Sequence, residues 1–160
     1  MYRGHVEGDP HFWGDYCRDK VKYVRNFVFG EINTLKVCPW MPYHDPDRPY
    51  VRYWFAASEG PLVDSFNRML CEKSQDCLEA EGGACIVYTH FAKGFQEDGR
   101  LHPRFVALMQ RLSRKNGWFV PVADLLDYLL ERKKDPNISR AGRAQLERAW
   151  LLHKMCVGRT

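Results

Sequence analysis

The sequence predicts an α/β fold, a partial (β/α) barrel of about four parallel strands with covering helices. Three observations carry that expectation. Apolar strand-like runs alternate with helix-like stripes along the chain. Ala84 to His90 is a near-continuous apolar run opened by Gly82 and Gly83, as in a strand buried on both faces. A full barrel of this kind needs about eight strands, so the chain reads either as an open sheet or as part of a barrel.

The elements follow in order. The stretch from Pro10 to Lys20 allows a short helix. Tyr23 to Phe29 alternates apolar and polar residues and stops at Gly30, which predicts a strand. Glu31 to Val37 continues or bends it. Pro39, Pro42, Pro46 and Pro49 then exclude regular structure, and His44 to Asp47 signals a turn. Tyr50 to Ala57 is dense in aromatic and β-branched residues and reads as a second strand. Ser58 is placed to cap the next helix, with Pro61 in its first turn and Leu62, Phe66, Met69 and Leu70 on one face. Another helical turn or two is expected over Ser74 to Glu81. After the third strand, ending at His90, a Gly-containing loop runs to His102. Pro103 opens a helix with Phe105, Leu108, Met109 and Leu112 on one stripe, ended by Gly117. Trp118 to Val122 is expected as the fourth strand and Asp124 to Arg132 as a helix. Ser139 caps a last helix carrying Leu146, Ala149, Trp150 and Leu152.

The division drawn from this pattern is a β/α domain over 1–134 and a basic helical tail over 135–160. Eight cations lie between Arg132 and Thr160, against Asp135 and Glu147, within a net charge of +4. A solvated helical face accounts for them, with a nucleic-acid partner as the less favoured reading. The six cysteines show no C-x-x-C spacing, so neither a zinc knuckle nor a disulfide scaffold is indicated. There is no leader-like start and no apolar run near the roughly 20 residues of a membrane span. The expectation is a cytoplasmic chain without membrane contact.

Ligands of parallel β/α folds bind at the carboxyl ends of the strands. That rule selects His90 after the third strand, Ser58 and Glu59 after the second, and Glu31 and Asn33 after the first. A histidine there suits acid–base work, since its unperturbed pKa lies near neutrality. It equally suits a hydrogen bond to the following loop. Trp40, Tyr43, Tyr50, Tyr53 and Trp54 offer either a sugar platform or core packing. His44 and Asp45 orient a substrate or simply close a turn.

From Gly83 to His90, then the helix of Arg104 to Lys115, then Asn116 to Val122 and Asp124 to Leu126, the sequence resembles the end of a polysaccharide deacetylase (NodB homology) domain. The resemblance implies a distorted (β/α) barrel and a divalent metal, often zinc. It implies hydrolysis of a non-peptide C–N bond in an N-acetylated carbohydrate. It gives His90 the role of general acid toward the leaving amine. Glu59, Glu31, Asn33 and Trp54 are the candidate substrate contacts. The family's Asp-Asp and His-x-x-x-His pairs have no counterpart in the sequence, so no metal ligands are identified. The expectation is therefore a chain truncated at its amino end and inactive, binding carbohydrate. A homo-oligomer through exposed sheet edges is also allowed. The alternative is a non-catalytic glycan- or nucleic-acid-binding α/β module.

Overall fold

A computed structural model describes Gly4 and residues 6–157. The fold is mixed α/β. Among the described residues, the chain forms two compact units. The first takes in residues up to Phe27, Trp40–Ala56 and the stretch from Val120. The second takes in Val28–Pro39 and Ala57–Phe119.

Strand β1 (Tyr23–Phe29), β2 (Tyr53–Glu59) and β3 (Val87–Tyr88) form a three-stranded parallel sheet in the order β1-β2-β3. β2 pairs with β3 so that Ser58 faces Val87 and Glu59 faces Tyr88. Helices α1 (Gly14–Lys20) and α2 (Thr34–Val37) flank β1 in sequence. Helices α3 (Val63–Met69) and α4 (Glu72–Ala80) follow β2.

Four expectations are corrected. The third strand is two residues long rather than seven, because only Val87 and Tyr88 pair in register with β2, at its carboxyl end. Trp118 to Pro121 is coil, and helix α6 (Val122–Glu131) begins directly after it. Its aromatic and β-branched residues have strand propensity, but among the described residues no ladder pairs them, and Trp118 and Phe119 stay exposed. The loop after His90 contains a hairpin of β4 (Gln96–Glu97) and β5 (Arg100–Leu101). Its turn places Asp98 and Gly99 at positive φ, a conformation that Asp tolerates and Gly favours. Finally, Ser58 lies within β2 and is fully buried. The hydroxyl at the start of α3 belongs to Ser65, which closes on the backbone of Leu62.

The second unit is built on an apolar cluster of Ile32, Val63, Phe66, Met69, Leu70, Phe95 and Phe105. Phe105 lies on α5 (Pro103–Leu112). α4 and α5 are joined by a ladder of charge pairs. Glu72 meets both terminal nitrogens of Arg104 at 2.6 Å. Asp76 meets Arg111 at 2.8 Å and Lys115 at 2.7 Å, and Lys115 also meets Glu79 at 2.6 Å. Beneath them, the buried amide of Gln75 donates to the carbonyls of Leu70 and Leu108.

Arg104 holds the Glu72 carboxyl down to about 2, from an ordinary value of 4.5. A depressed folded-state value stabilises the fold above the unfolded value and loses that contribution as the pH falls toward 2. The pair is exposed, so the contribution is small. The expected result is that Glu72→Gln flattens the decline of the melting temperature between pH 4.5 and 2. Parallel curves for the variant and the parent would show that the pair has no linkage to folding.

In the first unit, the segment around the cis Met41–Pro42 bond is packed inside, with Met41 and Tyr43 buried. His44 donates its backbone N–H to the carbonyl of Pro136 and accepts from Ile138. Helix α7 (Arg140–Val157) then starts with the Ser139 hydroxyl accepting from the N–H of Gly142, as expected for a cap. Asp127 of α6 receives the ammonium of Lys22 and the phenol of Tyr23. Burial and that carboxylate hold the Tyr23 phenol above its ordinary range.

Among the described residues, no helix is long and apolar enough to cross a membrane.

Candidate functional site at the carboxyl ends of the strands

In the second unit, β2 and β3 end side by side. The N–H of Ser58 donates to Ile86 and that of Gly60 to Tyr88, which continues the ladder past Glu59. The next turn is tight: a Cβ on Gly60 would lie 2.9 Å from the Cα of Phe66. The N–H of His90 then reaches the carbonyl of Pro61. Backbone bonds thus hold the two strand ends together.

Alternation decides what each side chain faces. Glu59 and Tyr88 are cross-strand partners, so they share a face. His90, two residues on, falls on the same face. Its Nε2 lies 2.6 Å from the Tyr88 hydroxyl, with the rings edge to face at 4.9 Å. His90 is exposed, whereas the hydroxyl oxygen of Thr89 is buried. Either partner can donate in this bond, the phenol to a bare ring nitrogen or a ring N–H to the phenol oxygen.

The opposite face is closed by a chain of hydroxyls. The N–H of Ile86 donates to Thr34 Oγ1 at 3.0 Å. Thr34 Oγ1 and Ser58 Oγ are 2.7 Å apart, and Ser58 Oγ is 2.6 Å from the carbonyl oxygen of Glu31. Each hydroxyl has one proton. With Ser58 donating to Glu31, Thr34 must donate to Ser58. Cys85 is half-buried nearby, and desolvation pushes its thiol up to about 11 against the pull of the Ser58 hydroxyl, so it stays protonated at neutral pH.

The sequence-derived candidates separate into three groups. His90 and Glu59 lie on the same face, His90 bonded to Tyr88 and Glu59 paired with Tyr88 in strand register. Glu31 is exposed, and its backbone carbonyl ends the hydroxyl chain. Asn33 is buried, and its amide serves the backbone. It caps α2 through the N–H of Lys36, accepts from Ala84 and donates to Glu81 at 2.8 Å. The approach is so close that a Cβ on Gly83 would lie 2.2 Å from its nitrogen. Trp54 belongs to the first unit, where it is 8% exposed and lines a cavity.

Searches of protein-family models, curated proteins and solved structures found no match.

The metal implied by the resemblance does not fit. Zinc in a catalytic site takes three protein ligands and an open position. Among the described residues, no three of His, Cys, Asp and Glu come together as a ligand group. The cysteines are all free thiols, distributed over both units.

Tyr88 was missed as a functional candidate, although its signal is in the sequence: a strand residue two before His90 must share its face. The Thr34–Ser58 bond has no such signal, since it joins residues far apart in the chain.

Proposed function

We propose that the chain is a polysaccharide deacetylase-like domain whose sheet is part of a (β/α) barrel. It binds N-acetylated carbohydrate at the carboxyl ends of β2 and β3 and does not hydrolyse it. The supporting observation is the Tyr88–His90 pair at 2.6 Å, with His90 exposed, on the same face as Glu59. A phenol and an imidazole give both donors and acceptors for sugar hydroxyls, and Glu59 adds an acceptor. In the complete family the strand-end histidine protonates the leaving amine. Here that role lacks the metal-bound water that would attack the amide, because among the described residues no ligand set fits the metal.

The test is a titration with chitotriose, followed by the ring resonances of His90 and Tyr88, with acetate measured in the presence of zinc. Binding in about the millimolar range should move both resonances and release no acetate. Zinc-dependent acetate release would overturn the non-hydrolytic reading. Unmoved His90 and Tyr88 resonances at about 10 mM sugar would overturn the binding site.

A further inference from the structure

We propose that the first unit carries a separate binding site for a neutral pyranose disaccharide, with no catalytic role. The site is a cavity of about 840 Å³ whose wall residues all belong to this unit. That volume is within the range of about 300–1,000 Å³ typical of small-molecule pockets.

Four aromatic residues line it, from four separate stretches of the chain. Trp13 precedes α1, Phe27 lies on β1, Trp54 on β2 and Trp150 on α7. Phe27 and Trp150 pack against each other with ring centroids 5.6 Å apart. Trp54 is 8% exposed and supplies a fixed wall, whereas Trp13 is 49% exposed and leaves ring surface uncovered. Open indole surface suits the apolar C–H face of a pyranose. Fixed aromatic walls lose little side-chain entropy on binding.

The polar groups decide the ligand class. Arg48 and Glu147 both line the cavity, and their side chains are 34% and 45% exposed. Their mutual contact is long, 3.5 Å, so each keeps hydrogen-bonding capacity. A guanidinium beside a carboxylate presents donors next to acceptors, which matches the adjacent hydroxyls of a sugar. The surrounding charges balance. Arg48, Arg140 and Arg143 are paired with Asp45, Asp47 and Glu147. That network therefore gives no reason for an ionic ligand, although Arg25 also lines the cavity.

This site is argued from its own residues and stands whether or not the strand-end rim binds sugar. The experiment is a cellobiose titration of the whole chain, read from the indole N–H resonances of the five tryptophans. Trp13, Trp54 and Trp150 should move, and Trp40 and Trp118 should not. Trp13→Ala and Glu147→Ala should each weaken binding about tenfold. His90→Ala should leave it unchanged, which separates this cavity from the rim. A disaccharide ending in glucuronate should bind within about twofold of cellobiose, since the paired charges cancel. The proposal is overturned by unmoved indoles at about 20 mM cellobiose, or by movement confined to Trp118. It is also overturned by a glucuronate preference of about tenfold or more, or by full binding in both cavity variants.

Discussion

Asp45→Ala is expected to destabilise the protein by about 2–4 kcal/mol. The Asp45 side chain is 3% exposed and accepts from two guanidinium groups. Arg143 reaches both carboxylate oxygens at 3.0 Å, and Arg48 reaches one at 3.0 Å. The N–H of Asp47 adds a bond at 3.1 Å. Removing the carboxylate leaves two cations facing each other across a small gap. Arg143 and Arg48 are 21% and 34% exposed, so water and their remaining partners soften the loss. The estimate accordingly falls below the ~3–5 kcal/mol of a fully buried pair. Urea unfolding checks it. A change under about 0.5 kcal/mol would mean that the network contributes nothing to folding. Hydrogen exchange gives a second readout, since Arg143 is on α7 and its amides should lose protection first.

Phe95→Ala is expected to cost about 3–5 kcal/mol, which lowers the melting temperature by about 10 °C for a chain of this size. Phe95 is completely buried. Its ring meets Phe66 and Phe105 edge to face, both at 5.2 Å, and Phe91 at 5.0 Å. Such pairs contribute about 0.5–1.5 kcal/mol beyond area burial. The truncation acts on more than the core. Phe95 lies between His90 and the β4–β5 hairpin, and its carbonyl accepts from His102 just before α5. Gly94 beside it has φ +82°, and a Cβ there would lie 2.8 Å from Val63. One ring therefore anchors the whole loop that follows the candidate site. Thermal unfolding of Phe95→Ala and Phe95→Leu checks this, with Leu recovering more than half of the loss. Equal melting temperatures for parent and Phe95→Ala would refute the anchoring role.

These two residues show what the sequence makes legible. The apolar stripe of α5 and the start of α7 follow from local spacing and capping, and both are present. β1 spans the expected residues, because strict alternation up to a glycine is a local signal. Trp118 to Pro121 has the same kind of residues but remains coil, because a strand also needs a neighbour that propensity does not supply. The Asp45 turn is legible, but its two arginines are not. One is on a helix nearly a hundred residues away, in a stretch that reads only as a basic tail. That tail is partly neutralised, since Arg140 and Arg143 pair with Asp45 and Asp47. At the candidate site, strand-end position and alternation point to His90, Glu59 and Tyr88. Asn33 was selected by the same rule, yet its amide serves a cap and a neighbouring turn. Position along the chain identifies which side chains reach a rim, but not which are already occupied by the backbone.

The hydroxyl chain from Ile86 through Thr34 and Ser58 to Glu31 has a consequence for how this sequence can drift. Its direction is fixed, because each link receives one proton and passes one on. Replacing Ser58 alone orphans Thr34 and the Glu31 carbonyl. Replacing Thr34 alone orphans the Ile86 N–H, while Ser58 keeps its own bond to the Glu31 carbonyl. Replacing both leaves only the two backbone ends unserved, and a pair of apolar side chains of matching volume fills the space between them. Position 34 can thus change at the cost of one backbone bond, whereas a change at position 58 strands both a hydroxyl and a carbonyl.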